Sequence, residues 1–541
     1  MTDPVVLADP LGVVTAQMAR EVAQVHGVCI RPLMRRVLDR EIGTDTRVAI
    51  PCGSTHESVC PACATKARLL RIQQCAEGWH RDTELDPPED EAAETDETEG
   101  DRTGAVDAED GLGDQLGDDR RVPDDDPFDA DDIEGSPEPG SAGCTERRVR
   151  STRRRSDAPD LPRVPTEDRT VGRSFTAPDG TVYRPSMFLT LTLPSYGKVR
   201  AGAPVDPDTY DYRRAALDAV LFPRLVDRFW QNLRRVAGYK VQYFAAVEPQ
   251  HRLAPHLHAA LRGTIPRAVV KEVVLATYVQ VWWPAFDEPV YMDRKPRWDG
   301  TDYVDPDTGT VLPTWQEALD QVEDDQPAHV ARFGKQHDYA GIIAPSPDAD
   351  RAIRYLTKYL TKSIADAYVT PDSGPSPRYA AHVDRLHAEL RWLPCSERCA
   401  NWLRYGIQPK DATARLVPGR CDGKAHDREN LGLGGRRVLV SRQWSGKTLS
   451  EHRADRATVV REALEAAGML APEIERMAAT VMAADGKPRF VWTDTRPDPI
   501  TYARVIMHAV AERLRWKAQY RAAKEQADAG DNHSATEGLS P

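Results

Sequence analysis

The chain has 541 residues, 40% of them hydrophobic and 29% charged, and a formal net charge of −12. That length exceeds what one hydrophobic core serves and predicts two or three domains. No run of eighteen apolar residues occurs and no basic-then-apolar leader opens the chain, which excludes an ordinary membrane-spanning helix and predicts a soluble, cytoplasmic protein with no membrane partner.

The charge is unevenly held. Residues 81–140 carry 25 acidic against four basic residues, a net of −21, so the rest of the chain sums to +9 within the total of −12. A mildly basic body fits a polyanionic partner. The nine cysteines fall mostly in two clusters, Cys29/Cys52/Cys60/Cys63/Cys75 and Cys395/Cys399/Cys421, with Cys144 apart. In a large cytosolic chain such clusters favour metal over disulfides.

In chain order, "TAQMAREVAQVHG" predicts a short helix at the start of an N-terminal Cys-rich zinc module, residues 1–80. There "CGSTHESVCPAC" supplies Cys52, Cys60 and Cys63, whose C-x2-C pair is a typical zinc half-site. Cys29 could complete four thiolates, with Cys75 and His56 as rival ligands. Residues 81–170, acidic and then basic in "ERRVRSTRRRS", hold too few apolar groups to build a core and read as a disordered linker.

Globular patterning begins near residue 171. "SMFLTLTLPSYG" alternates as a strand, "YRRAALDAVLFPRLVDRFWQNLRRV" spaces its apolar residues as a helix despite Pro223, and "KVQYFAAVEPQ" and "HLHAALRG" are strands. "PRAVVKEVVLATYVQVWW" reads as a helix, "AHVARFGKQHD" as a strand, and "DADRAIRYLTKYLTKSIADAY" as a helix. This order predicts an α+β fold, a sheet with helices on one side, over residues 171–375.

Within it, "EPQHRLAPHLHAALRG" places His256 and His258 on one face of a strand, with Leu257 on the other. If "PQHRLAP" is a hairpin connection, Glu248 returns beside His256 and a two-histidine, one-carboxylate metal site forms, with Gln250 or His251 competing for the third position. "RYLTKYLTK" repeats a Tyr-Leu-Thr-Lys unit; on a helix Tyr355 and Tyr359 are i,i+4 neighbours, followed by Lys358 and Lys362. Two tyrosines at that spacing also serve as an aromatic edge of a core. Beside a metal they can act as nucleophiles, since a metal polarises a phosphate and a nearby lysine favours the phenolate.

"FLTLTLPS", "EPQHRLAPHLHAALRG" and "YLTKYLTK" stand in the order of the three motifs of HUH endonucleases, and the chain resembles the replication initiators of actinobacterial rolling-circle plasmids, of two-tyrosine type, over about residues 25–80 and 170–455. The paired tyrosines also look like those of initiators of small single-stranded DNA phages. The resemblance implies an antiparallel sheet of ferredoxin-like type carrying the histidines and a divalent ion, Mn²⁺ or Mg²⁺. It also implies strand-specific nicking of origin DNA, a 5′-phosphotyrosine link, and a free 3′-OH for a host polymerase working with a host helicase. By motif, His256 and His258 would be metal ligands and Tyr355 and Tyr359 nucleophiles, with Lys358 and Lys362 as neighbouring cations. A transposase or conjugative relaxase shares such a site, and a non-catalytic zinc-dependent DNA-binding regulator is the alternative of another class.

Downstream, residues 376–455 hold "CSERC" and "CDGKAH", whose Cys395, Cys399, Cys421 and His426 fit a second zinc site. The following "RRVLVSRQWSGKTLSEHRADR" reads as a basic segment open to phosphate contact. Residues 456–527 read as helical with one short strand, "RFVWTD", and 528–541 as a disordered tail.

Overall fold

The computed structural model describes residues 15–85, 155–180, 182–322, 327–344, 346–358, 360–365, 374–434, 437–466, 481–496 and 498–537. Most of the acidic segment and Tyr359 lie outside these. The chain divides into two compact units, 15–74 with 447–537 and 75–85 with 155–446 among the described residues.

In the first unit, strand Leu33–Asp39 is the centre of a three-stranded antiparallel sheet, flanked by Asp45–Ile50 and Phe490–Asp494. Helix Ala16–Val25 is capped by Thr15, which accepts from the Met18 amide at 3.2 Å. It packs Ala19 and Ala23 against Ala503, Ile506 and Val510 of helix Pro499–Glu537.

The second unit is built on a six-stranded, wholly antiparallel sheet. Its main path runs His337–Ala344, Val182–Thr192, Pro255–Leu261, Tyr243–Pro249 and Val438–Val440. Alternation sorts the side chains. Leu189, Leu191, Val247, Leu257 and Ala259 join the core with Leu221, Leu225, Phe229 and Leu233 of helix Tyr212–Ala237. That helix starts at Asp211, whose carboxylate accepts from the Arg214 amide at 2.9 Å, and stops at Gly238, held at φ 72° where glycine has no Cβ clash. Pro223 is tolerated on its exposed side.

Three expectations are corrected. Helices cover both faces of the sheet rather than one, because the opposite face also carries apolar Phe188 and Ala260 and takes helix Pro347–Leu356. The stretch read as one helix from Pro266 divides into helix Arg267–Ala276 and strand Tyr278–Val281, where β-branched and aromatic residues pair with His329–Arg332. The helix expected to span both tyrosines ends at Leu356. Beyond it, the carbonyls of Leu360 and Lys362 accept from the Arg437 guanidinium, and the Ile364 amide donates to Glu429, so long-range partners replace the helical ladder.

Candidate functional site

The histidine strand and its neighbour form a tight hairpin. Residues Gln250–Ala254 close it, with the Gln250 amide donating to the Ala254 carbonyl and the Leu253 amide to Gln250, both at 2.8 Å. Leu253 sits at φ 60°, a conformation that costs a non-glycine residue roughly 1 kcal/mol or more. It is held there by its own burial and by Arg252, which donates to the Pro194 and Leu193 carbonyls at 2.6 and 2.7 Å. The resulting register sets Glu248 opposite His256, and sets Thr192 and Thr190 opposite His256 and His258 on the other side. These side chains share one face of the sheet.

On that face the donor atoms of Glu248, His256 and His258 all lie within 4.8 Å of one another, and all three residues are buried. The two Nε2 atoms are 2.6 Å apart, and a Glu248 oxygen lies 3.9 Å from His258 Nε2. Thr190 Oγ1 meets His258 Nδ1 at 2.9 Å; with the Nδ1 proton donated there, the Nε2 lone pair points into the cluster. Phe188 stacks on the His258 ring at 5.7 Å. Gln250, one of the rival third donors, has its side-chain oxygen taken by Arg252 at 2.7 Å.

Burial dominates the titration. It lowers His256 to about 3 and His258 to about 4, so both imidazoles are neutral at pH 7. It raises Glu248 to about 8, against the opposing pull of Arg437 and Lys358, and Glu248 Oε1 is buried with no hydrogen-bond partner. Two converging Nε2 atoms beside an unpartnered carboxyl oxygen form a donor set that fits a divalent cation.

Helix Pro347–Leu356 brings the first tyrosine to this cluster. Ser346 caps it by accepting from the Ala349 amide at 3.2 Å, and Pro347 occupies the first turn, with Asp348 and Asp350 favourably placed near the positive end of the dipole. Ala349, Ile353 and Leu356 are the buried stripe. The Tyr355 hydroxyl lies 3.4 Å from His258 Nε2, its ring edge-on to His258 and Phe188, and 44% of the residue remains exposed. Lys358 is exposed and acts electrostatically on Glu248, whereas Lys362 is half-buried with its carbonyl held by Arg437.

Thr190, Phe188 and Arg437 were not assigned to the site from sequence. Thr190 could have been found from the alternation of "FLTLTL", which puts it on the face of Phe188 and Thr192. Arg437 gave no local signal. It is 9% exposed and precedes the strand Val438–Val440, and its carbonyl accepts from the Val247 amide at 2.8 Å, next to Glu248. The second residue of the segment read as a phosphate contact is thus a buried arginine. Its tryptophan, Trp444, is fully buried, with the Arg262 guanidinium 5.2 Å over its ring.

Both cysteine groups assemble. Cys29, Cys52, Cys60 and Cys63 bring their sulfurs within 4.8 Å, with Cys60 to Cys29 at 3.8 Å and Cys52 to Cys63 at 3.7 Å; neither Cys75 nor His56 is in the group. A hydrogen bond from Cys63 lowers Cys29 to about 5, while burial raises Cys52 to about 11. In the other unit Cys395, Cys399, Cys421 and His426 are likewise within 4.8 Å. His426 Nε2 stands 3.1 Å from Cys421 and 3.3 Å from Cys399, and its Nδ1 meets the Leu390 carbonyl at 2.7 Å. That bond turns Nε2 toward the sulfurs. Although burial opposes it, the thiolate partners raise His426 to about 10. Both groups have the donors for a closed four-ligand zinc site.

Fold and sites together define a mixed α/β protein with antiparallel sheets, a buried imidazole–carboxylate cluster and two clusters that could bind zinc. The family model of the replication initiator protein of pSAM2, RepSA, matches residues 15–512, so the chain belongs to that family. No curated protein and no solved structure matches it. Among the described residues no helix is long and apolar enough to cross a membrane.

Proposed function

We propose that the protein initiates plasmid replication as an HUH endonuclease of rolling-circle type, nicking and rejoining single-stranded origin DNA through a tyrosine ester. The observation that carries this reading is the Tyr355 hydroxyl, 3.4 Å from His258 Nε2 and at the edge of the Glu248, His256 and His258 cluster. Membership of a replication-initiator family supports a DNA substrate. The three donors would hold Mn²⁺ or Mg²⁺, which when bound polarises the scissile phosphate and offsets its developing charge.

The chain's own groups supply the rest. Tyr355 gives its phenolic proton to solvent and its oxygen bonds to phosphorus. The bond from phosphorus to the 3′ oxygen breaks, and that oxygen takes a proton to become the free 3′-OH, leaving the 5′-phosphate on Tyr355. A tyrosine titrates near pH 10, so the cationic Lys358 nearby favours the ionised phenol. Arg437 holds the backbone of Leu360 and Lys362, steadying the segment that follows the nucleophile. Thr190 and Phe188 fix the His258 ring. Tyr359, which lies outside the described residues, would serve as a second nucleophile in rejoining.

Incubating the protein with labelled single-stranded origin oligonucleotides and Mn²⁺ tests the reading. It predicts a protein–DNA adduct that survives boiling in detergent and is absent in chelator. DNA binding without any adduct, unaffected by His256→Ala, would instead support a non-catalytic zinc-dependent regulator. A relaxase or transposase would form the adduct on transfer-origin or transposon-end sequences in place of the replication origin.

A further inference from the structure

Helix Pro499–Glu537 outlasts the packing that explains it. Its stripe of Ala503, Ile506 and Val510 is buried against helix Ala16–Val25. From Ala511 to Ala522 every residue is exposed except the half-buried Trp516. A helix that is solvated all round is normally stabilised by acid–base pairs at i,i+4. This one has the reverse: Arg513, Lys517 and Arg521 repeat at i,i+4,i+8, which places three like charges along one face over about 12 Å. Arg515 adds a fourth cation, Glu512 is the one acidic residue of the stretch, and Glu512 faces His508 at 3.7 Å. No ion pair among the described residues engages the four cations. Like charges at this spacing destabilise a free helix, a cost that a polyanion removes.

Trp516 and the 60%-exposed Tyr520 sit between the cations, also at i,i+4. Residues 15–74 and 447–537, which carry this helix, hold 23 basic against 19 acidic residues, a net of +4. We infer that Arg513, Lys517 and Arg521 form a contact surface for the phosphate backbone of double-stranded DNA, separate from the Glu248, His256 and His258 cluster. A helix of this breadth fits the major groove, and regularly spaced cations along it match a regularly spaced line of phosphates. This inference goes beyond the nicking chemistry and does not depend on it.

The experiment measures binding of the full chain to a short duplex of arbitrary sequence from 50 to 200 mM salt. The triple variant Arg513→Ala, Lys517→Ala, Arg521→Ala keeps good helix formers at all three positions. Each lost phosphate contact lowers the slope of log K against log salt by about 0.9, so the variant's slope falls by roughly 2.7. Over that salt range the wild type then loses roughly 40-fold more affinity than the variant. The charge-preserving set Arg513→Lys, Lys517→Arg, Arg521→Lys retains the wild-type slope. Adduct formation on a single-stranded oligonucleotide is the same in all three proteins; absence of any adduct even in the wild type would count against the nicking proposal and leave the slope comparison standing. An unchanged duplex slope in the alanine variant overturns the inference. So does loss of binding to phosphatidylserine vesicles with duplex binding intact, which would assign the helix to a membrane surface.

Discussion

Replacing Glu248 by glutamine isolates the electrostatic cost of keeping a carboxyl group in the buried cluster. Glu248 lies at about 8 in the folded protein against an ordinary value near 4.5. A carboxyl whose folded value is raised binds more protons folded than unfolded, so its contribution is favourable below the unfolded value and is lost as pH rises through about 8. Between pH 6.5 and pH 8 the loss amounts to about 1.5 kcal/mol, taking 1.36 kcal/mol per pH unit of full proton difference. His256 and His258, lowered by burial, act in the opposite sense near pH 6.5, but they are common to both proteins and cancel in the difference. The assay is urea denaturation in chelator at half-unit pH steps, followed by a probe of the second unit. The stability of the wild type relative to Glu248→Gln falls by about 1.5 kcal/mol over that window. Added Mn²⁺ at pH 8 recovers the wild type far more than the variant, since a saturating ligand stabilises by about 2.7 kcal/mol at a hundredfold excess over Kd. Parallel curves for the two proteins in chelator would refute the reasoning.

Arg437→Met leaves the Leu360 and Lys362 carbonyls without their donor and should cost about 2–4 kcal/mol in urea denaturation, partly recovered by Arg437→Lys; a wild-type midpoint would contradict its structural role. After dialysis against a weak chelator, metal analysis should find two zinc ions per chain, and His426→Ala should hold one; zero zinc with every thiol titratable in the native state would sink both sites. Deleting residues 81–140, with their net of −21, should tighten DNA binding and steepen its salt dependence, whereas unchanged affinity at every salt concentration would make the segment a spacer.

What could be read from the sequence was local. The two-residue period of "HLHAAL" is enough to put His256 and His258 on one face, and a short polar connection is enough to return Glu248 beside them, as the register Glu248 opposite His256 reflects. The Cys groups were likewise legible because thiolate spacing constrains them, although spacing alone left Cys75 and His56 in competition with Cys29. The end of the tyrosine helix was not legible. Its apolar stripe continues in sequence through Leu360 and Ile364, whereas the backbone after Leu356 bonds to the distant Arg437 and Glu429. Trp444 is a related case: the basic residues of its segment suggest a surface, while the packing that buries it comes from Phe244 and Arg262. Periodicity reports the face a residue takes within its own element and is silent on which remote group will satisfy the backbone.

The most direct test of the central claim is to trap the adduct with a labelled origin oligonucleotide and Mn²⁺, digest it, and map the modified residue by mass spectrometry. The position of the Tyr355 hydroxyl beside His258 predicts the nucleotide on Tyr355 in the first cleavage, and loss of that adduct in Tyr355→Phe. An adduct that forms undiminished in Tyr355→Phe, or that maps outside the Arg354 to Lys362 segment, would contradict the account.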